Sequence, residues 1–277
     1  MSALDIIVPG ADALGKTFSG YLALPVMRGV IGIYLLDGTR DGTVDAPTAL
    51  TNASKNRVRG GTDATVIGTP TTNARSTSLT NNLAYLQTVH PETDNMSMLV
   101  SNLGNYKAGN YVSNSQSPRA AGGALKSNGI GMYTNAASEA NGNSYAAAVS
   151  QYDGVLTTAS AVMQAAGLYN PDDAAWMAWS LRVSESVAGG GAGSVGTITR
   201  DLLTVGTRNS TTRAAGQVRD KAAGTLRIGS GYINDGRADQ ITAGLVIIAN
   251  VTWTDAELAA NYAWLKKFSA GWHGVQV

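Results

Sequence analysis

The strongest constraint on this chain lies near its end, where two apolar strands lead directly into a helix-start signal. Thr225 to Gly229 (TLRIG) reads as a strand, Ser230 to Gln240 as a polar loop holding Asp235-Gly236, and Ile241 to Asn250 (ITAGLVIIAN) as a long apolar strand. A helix then begins at Thr254. Its hydroxyl can accept the backbone N–H three residues on while Glu257 reaches back, the reciprocal capping box. Leu258, Tyr262, Leu265 and Phe268 recur at steps of three and four, so the helix has one apolar face, which packs on the strands.

Upstream, Gly29 to Leu36 is apolar and β-branched and stops at Asp37-Gly38, which marks a first strand. Residues 1–28 mix short apolar pieces with glycines, Pro9 and Pro25, and read as an N-terminal arm; 29–277 reads as one sandwich domain. Arg40 to Asn56 is polar and loop-like. Gly60-Gly61 turns into a strand at Thr65 to Gly68, and Leu83 to Thr88 and Met96 to Ser101 follow as strands. Asn141-Gly142 predicts a two-residue hairpin, because both residues tolerate positive φ. Asp153-Gly154 separates a further strand pair, and Ser160 to Leu168 has helical character. From Trp176 to Ser184 the residues alternate, which predicts a half-buried strand with Met177, Trp179, Leu181 and Val183 facing the core. Val187 to Gly196 reads as a flexible loop, Thr197 to Val205 as a strand, and Asn209 to Arg213 as a turn.

Charged residues make up only 14% of the chain, against roughly 25% in typical soluble domains, and there are 33 glycines. That balance suits a β-rich protein with many tight turns. The net charge is +1 with scattered Lys and Arg, which leaves no footprint for a nucleic-acid backbone. With no cysteine there is no disulfide framework and no thiolate metal site. No basic segment precedes an apolar run at the start, and no apolar run approaches the ~20 residues of a membrane span. The expectation is a protein made in the cytoplasm and not exported by a signal of its own.

The string LRIGSGY, a polar loop, then GLVIIANVTWTDAELAANYAWLKKF resembles the C-terminal signature of concanavalin A-like (laminin G-like) domains. The elements are Leu226 to Gly229, Gly244 to Ile248 and Trp253 to Leu258, in the family's order. The resemblance implies an all-β fold, a jelly-roll type antiparallel β-sandwich with a short C-terminal helix. The tail NYAWLKKFSAGWHGV is similar to lectin-fold proteins carried by tailed bacteriophages and prophages. It implies a non-enzymatic virion component, tail-associated, that uses the sandwich for assembly or host-surface attachment. Its partners would be other virion proteins and a host surface glycan, and its assembly a homo-oligomer, with a trimer expected. A virion protein is released by lysis, which fits the missing export signal.

Glycanases of this fold carry Glu-x-Asp-x-x-Glu on one strand, placing two carboxylates on one face for nucleophile and general acid. The four glutamates here, Glu92, Glu139, Glu185 and Glu257, are far apart and none sits in that motif. Asp172 and Asp173 read as a solvated turn. His90 and His273 read as surface or edge residues, with neither a triad nor a zinc pattern around them. Neither a dinucleotide fingerprint nor a P-loop is present. No catalytic and no metal-ligating residue is therefore expected, and no cofactor. A sugar site needs an aromatic ring with Asp, Asn and backbone groups on loops, and the best such cluster is Tyr232, Asn234, Asp235, Arg237 and Asp239. Its oxygen ligands also suit calcium, which laminin G-like domains sometimes bind. An ordinary polar hairpin loop explains the same residues more simply. A carbohydrate-binding module is the alternative function, and a glycan depolymerase ranks third. Tyr and Trp, 11 and 5, outnumber the 2 Phe, and Trp264, Trp272 and Tyr111 are candidates for an interface.

Overall fold

The computed structural model describes residues 21–37, 46–73, 75–104, 108–135, 143–169, 175–187, 190–191, 193–233, 237 and 239–277. Every pairing among the described strands is antiparallel. One eight-stranded sheet runs through β15 (Thr207–Thr212), β14 (Gly196–Leu202), β13 (Trp176–Glu185), β6 (Met96–Leu103), β18 (Gln240–Ala249), β4 (Thr77–Thr80) and β3 (Thr71–Thr72), with β1 (Val30–Leu35) also paired to β18. The second runs through β12 (Ala161–Tyr169), β11 (Asn143–Tyr152), β10 (Ile130–Asn135), β7 (Gly109–Ser113), β17 (Arg227–Ile228), β5 (Tyr85–Gln87) and β2 (Thr65–Ile67), with β16 (Val218–Arg219) on β11. A short pair, β8 (Ser117–Pro118) with β9 (Lys126–Ser127), two α-helices, α1 (Ala46–Ser54) and α2 (Asp255–Phe268), and a π-helical turn that continues α2 over Ser269–His273 complete the described elements. The architecture is the antiparallel β-sandwich with a C-terminal helix that the sequence predicts.

The two sheets close over one core. Met96, Met98 and Val100 of β6 and Met177, Trp179, Leu181 and Val183 of β13 meet Tyr111, Met132, Tyr145 and Val149 from the opposite sheet. Burying each large apolar side chain contributes about 1.5–3 kcal/mol. Trp179 sits edge-on to Tyr111 and Tyr145, with ring centroids 5.5 and 5.3 Å away. Its indole N–H donates to Asn102 Oδ1 at 3.0 Å, so the one polar atom it buries is satisfied.

A third layer covers the first sheet from outside. Leu258, Leu265 and Phe268 of α2, with Leu22 and Leu24 of the N-terminal segment, pack on Ile33, Leu35, Leu99, Leu245 and Ile247. Thr254 and Glu257 form the expected capping box, with Thr254 N–H donating to Glu257 Oε2 at 2.7 Å and Glu257 N–H to Thr254 Oγ1 at 3.3 Å. Because α2 lies there, β13 is buried on both faces rather than half-buried as its alternation predicts: Ala178 and Ser180 are fully buried. Arg182, on the same face, is held by Asp201 at 3.0 Å and Asp255 at 2.7 Å.

Four local expectations are overturned. The stretch expected as a loop from Arg40 to Asn56 contains helix α1: Pro47 stands in its first turn, where a missing N–H costs nothing, and Ala49 and Ala53 bury one face. The segment of helical character from Ser160 to Leu168 is strand β12, paired with β11 at every position from Asn143↔Tyr169 to Gln151↔Ala161. So short an alanine-rich helix is marginal alone, whereas the ladder satisfies its backbone and buries Met163 and Ala165. The predicted turn at Asn209 to Arg213 is mostly the edge strand β15, and the turn falls earlier, ending at Gly206 with φ +71°. The predicted hairpin exists as β10–β11, but the register Asn135↔Ser144 leaves too many residues between the strands for a two-residue turn. Asn141 and Gly142 themselves lie outside the described residues.

Candidate functional site

With the first sheet covered on both sides, the other broad face is the outer face of the second, most of whose central residues are themselves buried. Strand register lays Arg227, Ser113, Gly131, Ala148 and Gln164 side by side across it. The next row holds Asn110, Tyr133, Ala146 and Ala166. Gly131, Ala146 and Ala148 are too small to fill this face, and they hollow it. After β17, Tyr232 N–H donates to the Ser115 carbonyl at 2.8 Å. Arg237 lies over the ring of Tyr133, 3.6 Å from guanidinium carbon to centroid, and Arg237 Nε donates to Asn135 Oδ1 at 3.1 Å.

The result is a half-open pocket of about 100 Å³. Buried Gly131, Ala148 and Val149 form its floor, and Tyr133 with Arg237 makes one wall. Partly exposed Ser115, Gln116 and Asn128 form a polar rim, and Val162, 46% exposed, stands at the mouth. Gln116 is held at φ +66°, a left-handed conformation uncommon for a side chain of this kind. Its amide donates to the Asn128 side-chain oxygen. In the neighbouring row Asn110 is 1% exposed, and neither its amide nitrogen nor its oxygen has a hydrogen-bond partner. That amide is sealed from the surface and is not part of the pocket lining.

The loop residues singled out from the sequence are distributed as follows. Arg237 reaches the pocket. Tyr232 lies towards β17: its ring is covered by the Arg227 guanidinium at 3.6 Å, and its hydroxyl donates to the Thr225 carbonyl at 3.0 Å. Arg227 also lies over Tyr85 at 4.7 Å. Asp239 is exposed and accepts the Ala108 N–H at 2.9 Å. Asn234 and Asp235 lie outside the described residues. Ser115, Gln116 and Asn128, which sequence reasoning missed, come from the Gly-, Asn- and Ser-rich middle of the chain, where no periodicity or motif singles out a residue.

Acids distant in sequence do converge, at another place. Arg219 Nη2 lies 2.6 Å from Glu92 and its Nη1 3.6 Å from Glu185, and Arg213 also donates to Glu185. Asn114 and the Ala222 N–H, both at 3.1 Å, complete the shell of Glu92. Nearby, Asp220 is paired with Arg119 at 2.9 Å and accepts from Ser160. Burial pushes the Asp220 pKa up, and Ser160 and Arg119 pull it back. The side chains of Glu92, Glu185 and Asp220 are all 0% exposed, so none can touch a substrate on the surface.

His90, expected at the surface or an edge, is buried instead. Its Nε2 lies 2.9 Å from the Tyr34 hydroxyl, and burial lowers its pKa to about 4. Gly32 makes room for it, since a Cβ there would meet His90 Nε2 at 2.7 Å. Tyr111, expected as an interface ring, is fully buried in the core. Trp264 stacks on Phe268 at 4.9 Å over the helix layer. The side chains of Trp272 and His273 lie outside the described residues, as do Glu139, Asp172 and Asp173. Among the described residues no group of three or more His, Asp or Glu could hold a metal ion, and no helix is long and apolar enough to cross a membrane.

No protein-family model and no curated protein matches this sequence. Solved structures that it resembles include the botulinum neurotoxin serotype D binding domain, at 7% identity and TM-score 0.47, over 86% of this chain and 53% of that one. Another is the receptor-binding domain of botulinum neurotoxin D, at 7% identity and TM-score 0.48, over 86% and 54%. A third is the binding domain of botulinum neurotoxin DC in complex with SialylT, at 9% identity and TM-score 0.46, over 86% and 52%. The chain thus spans about half the length of the solved structures it matches.

Proposed function

We propose that this chain is a non-enzymatic, lectin-like binding module that takes a carbohydrate of a bacterial surface on the outer face of its second sheet. The observation that carries this reading is the pocket beside Tyr133 and Arg237: hydroxyl, amide and small apolar groups line it, and none of its described lining residues is a carboxylate. A few placed polar groups on otherwise apolar walls are what a small-ligand site requires. Cleaving a glycoside would instead require two accessible carboxyl groups ~5–9 Å apart. The acids that the fold gathers, Glu92, Glu185 and Asp220, are sealed against arginines, which favours binding over depolymerisation.

The setting we assign to it is the particle of a tailed bacteriophage, as a tail-associated homotrimer contacting other virion proteins. The support is the resemblance of the tail NYAWLKKFSAGWHGV to lectin-fold proteins carried by tailed bacteriophages and prophages. Mass spectrometry of purified particles and light scattering of the purified chain test that setting; absence from particles together with a monomeric mass would overturn it.

The binding reading is tested on an array of bacterial surface glycans with the purified chain. Binding that is weakened by Arg237→Ala, unchanged by a calcium chelator and unaccompanied by released oligosaccharide is the expected result. Failure to bind any glycan, or release of oligosaccharide, overturns it.

A further inference from the structure

Resting on that reading, we infer that the glycan taken on this face is anionic, and that its carboxylate or phosphate is received by Arg227 at the edge of the pocket. Charge is the first argument. The eight strands of the second sheet contain no Asp, Glu or Lys, and their only charged residues are Arg219 and Arg227. Arg219 is buried against Glu92 and Glu185. Arg227 has no carboxylate partner among the described residues, whereas Arg28, Arg119, Arg182, Arg208 and Arg213 are each paired with one. An uncompensated cation on an otherwise uncharged sheet sets the sign of the ligand that this face attracts.

Geometry is the second argument. The Arg227 guanidinium lies over two tyrosine rings, 3.6 Å from the centroid of Tyr232 and 4.7 Å from that of Tyr85. Its Nε donates to Gln87 Oε1 and its Nη1 to the Gly231 carbonyl, both at 2.7 Å. These rings and acceptors are uncharged, so they fix the guanidinium without cancelling its charge. Nη2 is left with no hydrogen-bond partner among the described residues, and it is not sealed from solvent. An arginine already held in place loses little side-chain freedom when an anion docks on it, and a charge-assisted hydrogen bond is the stronger kind. Position is the third argument. Arg227 stands opposite Ser113 in the strand register, and Ser113 lines the pocket. Gly231 lies beside Ser115 on the same rim, where a Cβ would be 3.5 Å from the Ser115 carbonyl. The pocket is thus bordered by Arg227 and walled by Arg237, with no carboxylate among its described lining residues.

The test uses calorimetric titration of the full chain with three probes: trigalacturonate, its methyl ester, in which every carboxylate is masked, and a glycerol phosphate oligomer. The expected result is that one or both anions bind at least about tenfold tighter than the ester, and that raising the salt from about 0.05 to about 0.5 M removes most of this preference. The relative affinities of the carboxylate and phosphate probes identify which anion is read. An acidic glycan found on the wider array takes the place of the probes in the same comparison. Arg227→Gln should abolish the preference for acid over ester, whereas Arg227→Lys, which keeps the charge without the flat stack, should keep part of it. The comparison on the native chain stands even where a variant fails to fold. A purely structural role would make both variants lose acid and ester binding alike. That outcome, a preference that survives Arg227→Gln, or equal affinity of the native chain for acid and ester overturns the inference while leaving a glycan-binding module standing. Array binding confined to neutral glycans does the same. Binding to no probe and to no glycan of the array overturns both.

Discussion

The guanidinium carbon of Arg237 sits 3.6 Å from the centroid of the Tyr133 ring, and this contact fastens Arg237 onto the outer face of the second sheet. It closes one side of the pocket and shields a ring that would otherwise be exposed. Arg237→Ala should cost only about 0.5–1 kcal/mol of stability, the usual worth of a cation–π contact near the surface. The same substitution should weaken glycan binding far more than this, because it removes a pocket wall. Paired thermal melts and glycan titrations separate the two effects; equal small losses in both would mean that the contact is only structural.

Stability should fall with acidification well before the carboxylates titrate. His90 is held at a pKa of about 4 by burial, while an exposed imidazole titrates near 6.5. The unfolded chain therefore takes up the proton first. The contribution of this residue is complete above about pH 6.5, declines as pH falls from there, and is gone once pH passes below the folded value near 4. At about 1.4 kcal/mol per unit, its size is of order 3 kcal/mol. Asp255 and Glu257, held at about 2 chiefly by Arg208 and Arg28, act only in the more acidic range where exposed carboxylates protonate. Urea midpoints at about pH 7 and pH 5 should differ in the native chain and converge in His90→Gln. A native midpoint independent of pH over that range would refute the assignment.

The capping box makes a separable contribution. Thr254→Ala should lower stability by about 1 kcal/mol, and Thr254→Ser by much less, since serine keeps the acceptor for the Glu257 N–H. Thermal melts of the two variants check this, and similar losses would show that the methyl group, not the cap, matters at this position.

Arg219 lies between two buried glutamates. Arg219→Met leaves Glu92 without its cation and should cost roughly 3–5 kcal/mol. Adding Glu92→Gln removes the stranded charge and keeps an oxygen for Asn114 and the Ala222 N–H, so the double variant should recover more than half of that loss. Urea unfolding of the set measures the coupling, and strictly additive losses would exclude it.

Local signals in the sequence carried much of this far. The alternation from Met177 to Val183, the apolar run of β18 and the T-D-A-E helix start each state their structure within a few residues, because side-chain periodicity and capping act over that range. Where such signals were weak, expectation failed. Strand β15 is polar and exposed along nearly its whole length, so no hydrophobic pattern marks it. Four of the nine residues of helix α1 are Thr, Asn or Ser, which compete with the helix for backbone bonds and favour turns when read alone. Strand β12 looks helical by composition and becomes a strand because β11 offers it a ladder.

What the sequence determined by itself is the sandwich with its closing helix and the lack of a catalytic carboxylate motif. What only the tertiary structure decided is which residues meet on that surface. Gln116, Asn128, Tyr133 and Arg237 come from separate segments and line one pocket, Tyr133 placed there by strand register. Likewise Glu92 and Glu185 become buried ion pairs, and His90 a buried neutral ring, through contacts made across long stretches of chain. The physical reason is range: propensity and periodicity act over a few neighbouring residues, whereas a pocket, a burial and a charge pairing are set by packing between elements far apart in sequence.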